Sequence, residues 1–364
     1  MSDPFSKLQS LDGEHFALAR FPGEHDAVSA ELARLRTRSA DYATRSFGAG
    51  TLRAYRSSWK GFAAWCVGHG LDPFGGAAGP VRLYVTQLAD LQRSVSTIRV
   101  VLAAIATAYR LSGLALDLND PILGPVVEGI TRSLGTRPQR QATPAVPAVL
   151  REMLAQCGQD EIMRAALCAR NRAMMLIGFG AAMRRSELVA LSIRDVKAEQ
   201  GRGVTVLVRR SKTDQQGAGM ATAICSNPDE PEMCPLHALE RWKVYRRSAP
   251  DMPDDDEEAE TADRPLFCAV TKGGVITGQG LSDKAVVRLV KELAMAAGYD
   301  PDLFAGHSLR AGLITAAGDA GLELAGAMRQ ARQSDPATTM RYYRPADLWR
   351  NNVTAGIFSA ERGK

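Results

Sequence analysis

Aromatic residues are scarce in this 364-residue chain, at 6%, which favours helices rich in Ala and Leu over β-sandwiches. Long apolar runs are also missing, and none approaches the roughly 18 residues a membrane-spanning helix needs. The opening stretch "MSDPFSKLQSLDGEHF" lacks the apolar core of a secretory signal. Six cysteines, at 66, 157, 168, 225, 234 and 268, lie too far apart to read as a disulfide framework, so free thiols in a reducing cytoplasm are expected. Cys234 and His237 form a lone C-x-x-H, with no second pair of ligands at zinc spacing. There is no phosphate-binding glycine-rich loop and no repeat at a solenoid period. No metal and no cofactor are expected.

What is present is size, a basic body and helical periodicity. The length suffices for two or three domains with at least one sizeable core. Net charge is +5, but "DMPDDDEEAETAD" at 251–263 holds eight acids and no base, so the rest of the chain carries +13. A basic body with one acidic insert is compatible with a polyanionic partner and also with a plain solvated surface. The insert reads as a solvent-facing loop.

Residues 1–45 are polar and mixed, and read as a loosely attached arm. Leu52, Tyr55, Trp59, Phe62 and Cys66 then recur at steps of three and four, which predicts a helix stopped by Gly68 and Gly70. "GPVRLYVTQLADL" predicts a second helix. "SVSTIRVVLAAIATAYRLSG" predicts a third, capped by Ser96 or Thr97 and stopped at Gly113, and "DPILGPVVEGITRSLG" predicts a fourth. A small all-α domain over 46–136 follows. A basic, proline-rich linker is expected at 137–147, with Arg132, Arg137 and Arg140 close by, either following DNA phosphates or serving as a solvated hinge. Residues 148–364 read as a second domain, mainly α. In it "RRSELVALSIRDV" continues as a helix, and the valine-rich "GVTVLVRRSKTDQQGAGMATAI" predicts a β-hairpin.

Four polar clusters carry candidate chemistry. Arg184 follows an apolar helix, and a buried guanidinium needs a partner that Glu187, three residues on, can supply as a structural pair. Lys212 falls near the hairpin tip, where a lone lysine is ordinarily a surface residue. His307 and Arg310 share one helix face. The fourth cluster is "ARQSDPATTMRYYRP", which sets Tyr342 and Tyr343 between Arg341 and Arg344.

The ordered series Arg184, Lys212, His307-x-x-Arg310 and a tyrosine near the C-terminus resembles the tyrosine recombinase (phage integrase) family, in layout its Cre-like members. The likeness covers nearly the whole chain. It implies an N-terminal all-α core-binding domain and a C-terminal α+β catalytic domain. It implies an enzyme that cuts and rejoins DNA site-specifically through a 3′-phosphotyrosine, without metal or ATP. Arg184 and Arg310 would grip the nonbridging phosphate oxygens, since planar guanidinium matches phosphate bidentately. His307 would donate a hydrogen bond or handle a proton, Lys212 would protonate the departing 5′ oxygen, and Glu187 would hold Arg184 or His307 in place. The family nucleophile lies nine residues after the last phosphate-binding position, so counting from Gln333 selects Tyr342 and leaves Tyr343 as a packing neighbour. Gln333 stands where the family usually has His or Trp. It can donate a hydrogen bond but cannot carry charge.

The resemblance further implies double-stranded DNA with inverted half-sites as partner. A dimer would form on each site and a tetramer in synapsis, joined through a C-terminal tail that carries Leu348, Trp349, Val353 and Ile357. A mobile-element recombinase in the bacterial cytoplasm, associated with the nucleoid, is the matching setting. A type IB topoisomerase, a telomere resolvase or a DNA-binding protein with a decayed site would retain much of the same pattern.

Overall fold

The computed structural model describes residues 3–5, 46–75, 78–136, 141–157, 161–209, 219–247, 263–271 and 273–347, with scattered positions from 31 to 43 and Thr354. The described positions between 31 and 43 are helical. The chain divides into two compact units, 1–140 and 141–364.

In the first unit the helices are α1 (Ala49–Gly68), α2 (Gly79–Asp90), α3 (Val95–Leu111) and α4 (Leu123–Leu134). The stripe read on α1 is the buried one: Trp59, Phe62 and Cys66 are within the core, and Leu52 and Tyr55 pack at its edge. Ile98, Leu102 and Ile105 meet them from α3, and the buried Tyr109 donates its hydroxyl to the Pro73 carbonyl at 2.7 Å. The α3 cap is Ser94, not Ser96 or Thr97; its hydroxyl accepts from the Thr97 N–H at 3.2 Å. Phe5, inside the segment read as a loose arm, is fully buried in this core with its ring 6.2 Å from Tyr55. An apolar anchor in a polar stretch is invisible to periodicity.

The second unit adds α5 (Pro147–Ala155), α6 (Glu161–Gly180), α7 (Arg185–Val189), β1 (Val196–Glu199), β2 (Gly203–Val208), β3 (Met220–Cys225), α8 (Pro235–Arg247), β4 (Cys268–Val270) and β5 (Ile276–Gly280). It closes with α9 (Asp283–Ala296), α10 (Ser308–Asp319), α11 (Leu324–Ala331) and α12 (Pro336–Asp347). β1, β2 and β3 form an antiparallel sheet in that order, and β4 pairs with β5. The β2–β3 register runs from Gly203 opposite Cys225 to Val208 opposite Met220, so the expected hairpin is present and Lys212 belongs to its connection. Lys212 itself lies outside the described residues, as do Arg137, Arg140, acidic residues 251–262 and tail residues 348–353 and 355–364.

The helix expected through "RRSELVALSIRDV" stops at Val189 and gives way to a turn and then β1. Asp195 is the cause: its carboxylate accepts from the Ser192 N–H at 2.9 Å and hydroxyl at 2.6 Å, which turns the chain, and Ser192 bridges to Pro265. Residues 143–147, read as part of a linker, are built into this unit. Thr143 donates its N–H to Leu303, and Ala145 donates to Ser308 and is fully buried. At Gly312 on α10 a Cβ would come within 2.1 Å of the Ala145 carbonyl, so only glycine lets these backbones meet.

Candidate active site

The site is built on the C-terminal end of α6. A helix leaves its last carbonyls without intrahelical partners, and they form the negative end of its dipole. The chain turns here through Ala182, a non-glycine residue at φ 45°. The freed carbonyls collect side-chain donors from distant elements. Gln330 Nε2 donates to Gly180 O at 2.6 Å, Arg332 Nη1 to Ala181 O at 2.8 Å, and Arg310 Nη1 to Ala182 O at 2.7 Å. Gly180 is required because a Cβ there would lie 2.3 Å from Ile224 Cγ2 on β3.

Arg184 leaves this turn as the cap of α7. Its Nη1 meets Glu187 Oε1 at 2.6 Å, and its backbone N–H donates to Glu187 Oε2 at 3.0 Å. The expected Arg184–Glu187 pair is therefore present. Glu187 Oε2 also accepts from Arg332 Nη2 at 3.0 Å, in a pair whose side chains are each 3% exposed. Burial pushes the Glu187 carboxyl up, but its hydrogen bonds from Arg184 and the charge of Arg332 outweigh that and hold it below the usual carboxylate range.

Two guanidiniums thus share one carboxylate, and a third, Arg310, lies within its field. Arg310 is 5% exposed, and its Nη2 is buried with no hydrogen-bond partner among the described residues. Burial, with the charges of Arg184 and Arg332 acting the same way, pushes the Arg310 guanidinium down to about 10. A buried cation with a donor unused is costly unless an anion meets it. The residues present therefore suit an anion with several acceptor oxygens. The series places His307 at the N-cap of α10, exposed and three residues before Arg310.

Arg332 was missed from sequence. Nothing in "ARQ" distinguishes it, and its partners lie about 110 to 151 residues away. It ends α11 in the left-handed region, φ 51° and ψ 49°, and directs the chain into Gln333. The Gln333 side-chain oxygen accepts from the buried Thr339 hydroxyl at 2.8 Å, which leaves the amide NH₂ as the outward end of that side chain. Asp335 then opens α12, accepting from the N–H groups of Ala337 at 3.0 Å and Thr338 at 3.2 Å.

The two tyrosines of α12 differ. Tyr342 is half-buried and packs on Ala182, Ile314 and Ala331, close enough for its phenol to influence Arg310. Tyr343 is buried, packs on Gly318, and donates its hydroxyl to the Leu322 carbonyl. Arg132 is exposed on α4 and paired with Glu128 at 2.5 Å. The C-x-x-H residues are both engaged locally, Cys234 Sγ with the Asn227 N–H at 3.3 Å and His237 with the Pro231 carbonyl at 3.2 Å. Among the described residues no cluster of metal-ligating side chains occurs, and no helix is long and apolar enough to cross a membrane.

A buried guanidinium cluster beside a tyrosine is an arrangement able to receive an oxyanion such as a phosphate, and comparison with known proteins gives the family. Residues 148–348 match the phage integrase family. The chain is 30% identical over 313 residues to an integrase/recombinase xerD homolog of Selenomonas ruminantium, covering 85% of each chain. Its fold is similar to XerH site-specific recombinase bound to palindromic difH substrate, in a post-cleavage complex, with TM-score 0.59, 18% identity, and coverage of 98% of this chain and 94% of that one. It is also similar to a lambda integrase (75–356) dimer bound to a COC′ core site, with TM-score 0.52, 15% identity, and coverage of 88% and 95%. The chain belongs to the phage integrase family, the tyrosine recombinases, enzymes that cut and rejoin DNA strands site-specifically.

Proposed function

We propose that the second unit binds one phosphodiester of duplex DNA between Arg184 and Arg310 and that Tyr342 cleaves it. The observation that carries this reading is the buried Nη2 of Arg310, without a hydrogen-bond partner among the described residues, close to the half-buried Tyr342. Tyr342 Oη attacks phosphorus, the bond from phosphorus to the 5′ oxygen breaks, and a 3′-phosphotyrosine and a 5′-hydroxyl result. The arginines around the site offset the negative charge that gathers as the phenol oxygen attacks. Lys212, on the β2–β3 connection, protonates the departing oxygen, and His307 handles the phenol proton or donates to a phosphate oxygen. Arg184 and Arg310 stabilise the charge that grows on phosphorus, which is the largest single contribution such sites make. Gln333 donates its amide N–H to the same phosphate. The ester conserves the bond energy, so the reverse attack by another 5′-hydroxyl rejoins strands.

The same reading extends to assembly on inverted half-sites, as a dimer on each site and a tetramer in synapsis. Arg132, Arg137 and Arg140 contact DNA phosphates. Lys284, Arg288 and Lys291, one face of α9 near Arg185, offer a second cationic surface. A groove of about 730 Å³, lined by Leu150, Leu176, Phe179, Ile224, Leu313 and Ala327 among others, suits the apolar stripe of Leu348, Trp349, Val353 and Ile357 from a second copy. The setting is the cytoplasm of a bacterium, at the nucleoid. Incubating the protein with DNA that flanks its gene, then denaturing and mapping protein-linked 3′ ends, tests the reaction. Linked ends at one position in two inverted copies support it; DNA binding without linked ends contradicts it.

A further inference from the structure

We infer that Arg332 is a positioning residue of this centre: it offsets the charge of Glu187, so that the carboxylate orients Arg184 without consuming the positive charge aimed at the phosphate. This rests on the reading of the site as a phosphodiester-cleaving centre.

The argument begins with what Arg332 gives up. A side chain in the left-handed region is strained, and glycine is the usual occupant of a helix C-terminus in that conformation. Arginine is here at φ 51° and is 5% exposed, so both backbone and charge are placed unfavourably. Its hydrogen bonds explain why it is held. Nη1 reaches Ala181 O at 2.8 Å, Thr222 Oγ1 at 3.0 Å and Gln330 O at 3.2 Å, while Nη2 reaches Glu187 Oε2 at 3.0 Å. One planar fork ties the α11–α12 corner to the end of α6, to β3 and to α7.

Charge then separates this role from a plain staple. Glu187 divides its two oxygens between Arg184 and Arg332. Without Arg332, Arg184 and Arg310 would face the carboxylate alone, leaving one positive charge in excess. With it the excess is two. The attacking phenolate and the phosphate are both anions, and in a dry site that second charge lowers their repulsion. Arg332 touches neither, since both its terminal nitrogens donate to protein acceptors; it acts through Glu187 and through the field.

The test is single-turnover cleavage of a nicked duplex built on the site where wild-type adducts map. One version carries the ordinary scissile phosphate and one a neutral methylphosphonate, each with Arg332→Gln, Arg332→Lys and wild type. Arg332→Gln keeps a donor for the α6 carbonyls but removes the charge. It should cleave the phosphate about tenfold to a hundredfold slower, with unchanged DNA affinity, yet lose less than about threefold on the methylphosphonate, where anion repulsion is absent. Arg332→Lys, which keeps the charge, should stay within about threefold of wild type on both and also carries the test if the glutamine variant does not fold. Equal slowing on both substrates, or a lysine variant as slow as the glutamine one, would make Arg332 a structural staple only. A wild type that forms no adduct removes the phosphodiester reading and this inference with it.

Discussion

Arg310 donates to the Ala182 carbonyl at 2.7 Å, across 128 residues of sequence, and so one guanidinium caps the helix that precedes Arg184 while its Nη2 meets no hydrogen-bond partner among the described residues. The contact aligns two arginines through backbone, with no acid between them. Arg310→Ala should leave that carbonyl to Arg332 alone and remove a phosphate donor. Single-turnover cleavage should fall about a hundredfold to a thousandfold, and thermal denaturation should show a less stable second unit.

Tyr343→Phe separates packing from chemistry within one dipeptide. Its hydroxyl donates to the Leu322 carbonyl, so the change should cost about 1 kcal/mol of stability and leave adduct formation within a few-fold of wild type. Urea denaturation and adduct yield, measured side by side, check both halves.

Glu187 gives the site its acid limit. Its folded pKa is depressed below the ordinary 4.5, so its contribution to stability is present above that value and is lost as pH falls through the folded value. Glu187→Gln should flatten the acid side of the melting-temperature profile. At neutral pH it should cost about 3 kcal/mol or more, because Arg184 and Arg332 lose their shared anion.

Gln333→Ala should slow cleavage about tenfold to a hundredfold, the equivalent of roughly 1.5–3 kcal/mol for one hydrogen bond to a phosphate. Thr339→Val should act in the same direction by a smaller factor, because the Thr339 hydroxyl fixes which end of the Gln333 amide faces outward. Gln333→His should equal or exceed wild type. Rates on a suicide duplex decide; an alanine variant as fast as wild type would remove Gln333 from the site.

The parts legible in the sequence were those whose cause is local. The α1 stripe, the β2–β3 hairpin and the Arg184–Glu187 spacing all follow from periods of 3.6, 2 and 3. What escaped has its cause elsewhere. Phe5 is held by a ring on α1, Asp195 bends a stretch whose apolar spacing reads as helix, and Arg332 acquires meaning only when Ala181, Glu187 and Thr222 arrive beside it. Ser94 became the α3 cap over two equally suitable neighbours through a single bond to Thr97.

The central claim is that Tyr342 joins itself to DNA, and the most direct measurement is mass spectrometry of the peptide left on DNA after a trapped cleavage reaction. The account predicts a nucleotide joined through its 3′-phosphate to Tyr342, no adduct from Tyr342→Phe, and DNA affinity for that variant within about twofold of wild type, since the hydroxyl serves only the chemical step. A nucleotide on Tyr343, or an adduct that persists in Tyr342→Phe, would contradict it.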